Sequence, residues 1–176
     1  MIMRPGQQLL LPANPWFIWG SLFAAFLLNM LLNIGLLGRV AWAPDLLALV
    51  LVFWGVHQPQ RVGIAIAFVF GLLMDVQQGS VLGQQALSYS VLNFLAISIH
   101  RRLLWFTVPS QAFQVLPLFA IAHLVELLIR MLIGGTFPGF LMFLAPVIEA
   151  TLWPVVSVFL LMPQRRAPDP DDTRPL

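Results

Sequence analysis

The stretch GIAIAFVFGLLMDVQQGSVLGQQAL, Gly63 to Leu87, is an apolar run that ends in a carboxylate, crosses glutamines and two glycines, and then resumes. Within it Gly63, Ala67, Gly71 and Asp75 recur every four residues. On a helix that spacing puts all four on one face, as a ridge with almost no side chain. Lipid supplies no hydrophobic force between helices, so small-residue ridges of this kind serve to let backbones pack closely. The stretch therefore predicts two helices joined by a compact external hairpin. Gly79 and Gly83 permit left-handed turns, Ser80 lies between them, and Gln77, Gln78, Gln84 and Gln85 satisfy backbone groups at the membrane surface. A carboxylate at a helix C-terminus meets the unfavourable end of the dipole and needs a donor. Arg39 and Arg130 are the expected donors, with Asp75 orienting the hairpin for a partner.

The rest of the chain supports a membrane setting. It is 60% hydrophobic with 9% charged residues and no lysine, too little charge to clothe a water-soluble surface. Mean hydropathy is +0.90. The pI near 10.5 comes from arginines that read as topology markers, so nucleic acid is not implied. Without cysteine there is no disulfide framework and no thiolate metal site. Six apolar runs follow one another at Trp16 to Leu37, Ala43 to Val56, Val62 to Val76, Ala86 to Ile99, Phe113 to Ile133 and Phe140 to Met162. The second, third and fourth are shorter than the ~20 residues that span a bilayer core, and must extend, thin the bilayer or stop short inside protein.

The fold expected is all-α: a short N-terminal segment over 1–15, a six-helix membrane domain over 16–162 and a disordered tail over 163–176, with both ends cytoplasmic. Under that topology Arg4, Arg61, Arg101, Arg102, Arg165, Arg166 and Arg174 lie inside, against Arg39 alone in an outside loop, while Arg130 lies within a span. The proline-rich, alternately charged tail PQRRAPDPDDTRPL cannot bury enough to order itself.

Polar residues inside the spans mark the remaining candidates. Ser21, Ala25, Asn29 and Asn33 repeat the four-residue spacing on the first segment, so Asn29 and Asn33 join the helix-packing set. Ionisable groups at membrane depth survive only when paired or wetted. His123, Glu126 and Arg130 share one face of the fifth segment, with Glu126 and Arg130 spaced for an ion pair, and Glu149 lies on the sixth. These residues form either an internally satisfied cluster fixing helix register or the wall of a wetted outer cavity. Catalysis fits poorly: GLLMD is not the GxGD of intramembrane aspartyl proteases, and His57, His100 and His123 have no metal-ligand spacing. No cofactor is expected.

From Pro44 to Leu95 the chain resembles the rod shape-determining MreD family. The resemblance rests on Phe53-Trp54, then Pro59, Arg61 and Gly63, then Gly71, Asp75, Gly79, Ser80, Gly83, Ala86 and Leu87, with Leu152-Trp153-Pro154 in the last span. It implies a non-enzymatic inner-membrane scaffold of the cell-elongation machinery. The implied partners are an MreC-like bitopic protein, a RodA-type glycosyltransferase, a class B penicillin-binding protein and, indirectly, MreB filaments. It also implies a fold like the substrate-binding subunits of energy-coupling-factor transporters, and hence the alternative of a vitamin-binding membrane subunit whose pocket would be lined by Asn29, Asn33, Asp75, Glu126 and Glu149.

Overall fold

The computed structural model describes residues 14–33 and 42–164, and the regular structure in that range is all helical. Six helices follow in order: α1 (Pro15–Leu31), α2 (Leu46–His57), α3 (Ile64–Gln78), α4 (Gln84–Leu103), α5 (Val108–Leu132) and α6 (Leu144–Leu161). A 3-10 turn at Phe140–Phe143 leads into α6, and another at Met162–Gln164 ends it. Arg39 and the tail from Arg165 lie outside the described residues, as do the arginines at 4, 166 and 174.

The α1 start is written locally: Asn14 accepts the Trp16 amide at 3.1 Å, and Pro15 sits where a helix needs no N–H. At α2, Asp45 Oδ1 accepts the Ala48 amide at 3.0 Å. This residue is the N-cap of the helix and not part of an apolar span beginning at Ala43. Pro-Asp directly before an apolar run is the sequence signal for such a start.

With 12 residues, α2 is only about 18 Å long at 1.5 Å per residue. Every residue from Leu47 to Val56 is buried, because α1, α4 and α6 pack around it. Its shortness is thus that of a central strut enclosed by protein. Close approach to α4 requires Gly55, where a Cβ would stand 2.1 Å from Asn93 Oδ1. Asn93 Nδ2 in turn donates to Val62 O at 3.1 Å and ties α4 to the turn between α2 and α3. At the core Phe53 packs edge-on to Trp54, with centroids 5.1 Å apart, and tilts against Trp153 at 6.4 Å. The two separated aromatic motifs of the sequence therefore meet. Trp54 Nε1 donates to Ser21 Oγ on α1 at 2.8 Å and Trp153 Nε1 to Gln111 Oε1 on α5 at 3.2 Å, so both buried indoles are satisfied.

The outer faces are greasy. Trp16, Phe23 and Leu27 on α1, Val69 and Val76 on α3, Phe113 and Leu128 on α5, and Val155 and Phe159 on α6 are all exposed. A shell of this kind suits lipid. By length and composition, α5 and the segment Phe140–Gln164 are long and apolar enough to cross a membrane, while α1, α2 and α3 are apolar but shorter.

Candidate functional site

The ridge of α3 meets the start of α4. A Cβ on Gly71 would lie 2.4 Å from Ala86 Cα and 2.7 Å from its nitrogen, so only glycine lets these backbones touch. Ala67 and Asp75 are fully buried on the same face. Gly63 is different: it is the N-cap of α3, with nothing within 4 Å of its Cβ position, and it does not belong to the packing ridge.

Asp75 is where the structure departs furthest from expectation. The carboxylate is 0% exposed and not at the rim, and its donors come from the hairpin itself. Oδ1 accepts Ser80 Oγ and the Gln85 amide, both at 2.8 Å, while Oδ2 accepts the Gly83 amide at 2.8 Å and the Ala86 amide at 3.3 Å. The side chain thus caps the first turn of α4 from a neighbouring helix, against the positive end of that dipole. Gly79, at φ 61°, closes α3 in the left-handed conformation, and Gly83, at φ 102°, opens α4. Arg130, expected as a donor, is not among these partners, and Arg39 lies outside the described residues. The geometry leaves Val81 and Leu82 at the hairpin tip, exposed.

A second polar network gathers at the same end of the bundle. Glu149 is fully buried and uses Oε1 twice, accepting the Asp45 amide at 2.9 Å and facing His123 Nε2 at 3.0 Å. His123 Nδ1 lies 3.7 Å from Glu126 Oε2, and Gln84 Nε2 donates to Glu126 Oε1 at 3.3 Å. Asp45 Oδ1 accepts Asn29 Nδ2 at 2.9 Å, and Tyr89 OH donates to Asp45 Oδ2. Five helices are joined in this way. Of the predicted cluster, His123, Glu126 and Glu149 come together, and Arg130 does not. Among the described residues, Glu126 pairs with His123 and Gln84 and makes no ion pair with Arg130, whose side chain is exposed. Tyr89 is a member that sequence reading missed, and Asp45, which the sequence places at the outer mouth of the spans, was not assigned to the cluster. Asp45 was legible as an N-cap; Tyr89, one residue in an amphipathic helix, carried no such signal.

Above the network opens a vestibule of ≈ 980 Å³, lined among others by Asn29, Asn33, Gln84, His123, Glu126 and Arg130. Asn33 lines this space, as does Asn29, which is buried and serves the network. Neither Asp75 nor Glu149 lines the vestibule. Glu149 lines a smaller cavity of ≈ 10 Å³ beneath it, the size of one water, which shares Asp45, Gln85, His123 and Glu126 with the vestibule. Among the described residues no group of three or more His, Asp and Glu side chains is arranged to hold a metal ion.

A family model described as rod shape-determining protein MreD matches residues 12–163. No solved structure matches the chain, so the expected likeness to transporter binding subunits, and the vitamin-binding alternative built on it, gain no support.

Proposed function

The chain belongs to the rod shape-determining protein MreD family, a bacterial family of structural membrane proteins, and from that premise we propose that it is a multi-pass scaffold of the cytoplasmic membrane. In this reading it crosses six times with both ends inside and helps couple MreB and MreC to peptidoglycan synthesis during rod-cell elongation. The family match over most of the chain carries the role in rod shape determination and the association with the MreB and MreC machinery. The finer partners, a class B penicillin-binding protein and a RodA-type glycosyltransferase, extend it.

What supports a scaffold is that the buried acids serve architecture first. All four bonds to Asp75 hold one hairpin in place, and Asp45 with Glu149 ties α1, α2, α4, α5 and α6 together. A rigid turn presenting Val81 and Leu82 at its tip is suited to receive an apolar side chain from a membrane partner. The MreC-like protein is the occupant we assign. Replacing both tip residues by serine leaves the Asp75 network intact, so the variant should insert at wild-type level. Expressed in rod cells lacking the native protein, it should fail to recover the MreC-like partner and to maintain rod shape. Normal recovery and normal rods at equal membrane levels would remove the hairpin from the interface.

A further inference from the structure

The polar end of the bundle is short of hydrogen-bond donors. Glu126 and Glu149 share the single imidazole of His123, while the nearby Asp45 carboxylate takes up the donors of Asn29, Ala48 and Tyr89. Among the described residues, Glu149 Oε2 has no partner although the side chain is 0% exposed, and Gln77 Oε1 is likewise buried without one. Both are acceptors, so what the site lacks is N–H or O–H groups. Glu149 borders the water-sized cavity, and Glu126, 24% exposed, forms part of the wall between that cavity and the vestibule. A primary ammonium, with three donors and a radius close to that of water, fits this space; a guanidinium fork is too broad.

The vestibule adds two further features. Arg130 lies one helical turn from Glu126 on the same wall, with an exposed side chain. Ile133, Leu141 and Met142 give the same space an apolar margin, and Phe140 and Leu141 are exposed beside it. Amine, anion and hydrocarbon are thus accommodated in one place. We propose that this site binds the headgroup of an aminophospholipid, its ammonium donating to Glu126 and Glu149, its phosphate against Arg130 and its acyl chains along the apolar margin. The proposal does not depend on the shape-determining role.

The test compares lipids that differ only in donors. Native mass spectrometry of the full chain released from detergent, with phosphatidylethanolamine or phosphatidylcholine of identical acyl chains added, should show the former retained several-fold more, because a trimethylammonium has no N–H. Glu126→Gln, which keeps an oxygen for Gln84, should bring phosphatidylethanolamine down to the phosphatidylcholine level while the protein stays folded, and Arg130→Ala should lower both. Competition by free ethanolamine would show that the amine alone is recognised; its failure to compete would show that the whole headgroup is needed, and either supports the site. Equal retention of the two lipids by the unaltered chain, or a lipid preference indifferent to Glu126→Gln, would overturn it.

Discussion

Replacing Asp75 by asparagine changes one atom and should destabilise the bundle. The carboxylate receives four donors, two on each oxygen, at 2.8 to 3.3 Å. An amide can offer its oxygen to one pair only; its NH2 must face the other pair, donor against donor. In one orientation the orphaned groups are the Gly83 and Ala86 amides; in the other the Ser80 hydroxyl can turn to accept from the NH2, and the Gln85 amide alone is orphaned. A hydrogen bond to a charged partner contributes about 1.5 to 3 kcal/mol, so losing the one to Gln85, with the charge assistance of the others, costs about 2 to 4 kcal/mol after the turn relaxes. For a domain of this size that lowers the melting temperature by roughly 10 °C. Intrinsic tryptophan fluorescence during heating in detergent reads this directly, since Trp54 and Trp153 are both fully buried. Ser80→Ala, which removes a single donor, should cost about 1 kcal/mol and rank between. An Asp75→Asn protein that melts within about 2 °C of wild type and accumulates normally would show that the carboxylate does not hold the hairpin.

Gly71→Leu should abolish folded protein in detergent, because the new side chain meets the α4 backbone and not a movable group, whereas Gly63→Ala, with open space at its Cβ, should be neutral by the same melting assay. Ser21→Ala leaves the buried Trp54 indole N–H without its acceptor and should cost about 1 to 3 kcal/mol, visible as a lowered melting temperature with an unchanged membrane level. Reporter fusions should show cytoplasmic activity at Leu176 and external activity at Gly135; external activity at the C-terminus would refute the six-segment topology.

The legible part of the fold was what local spacing encodes. Apolar runs located each of the six helices, though α5 starts five residues before its run and α1 ends six before the end of its own, and the four-residue repeat through Gly71 located a true backbone contact. Less legible was which helix lies at the centre. An unbroken run such as LLALVLVFWGV says that a helix is buried on all sides and says nothing of which neighbours bury it. The donors to Asp75 were hidden for a different reason: three of them are main-chain amides, present at every position and made available only by the turn geometry. At Glu126 the local pairing with Arg130 lost to partners from the same helix one turn earlier and from α4, because His123 and Gln84 lie toward the buried side and Arg130 toward the open one. Gly55 and Asn93 escaped notice since each is ordinary in its own helix and informative only as a pair.

The enclosure of α2 bears on how the chain is made. A helix of 12 residues, wrapped by α1, α4 and α6, has no resting place in lipid while it is alone. During synthesis it emerges well before two of the three helices that sheathe it. It must wait, at the surface or in the care of the insertion machinery, until α6 has left the ribosome and brings Glu149 to accept the Asp45 amide. The last helix to be translated is therefore the one that commits the second to its place, and truncations that remove α6 should leave α2 open to proteases rather than merely shorten the protein.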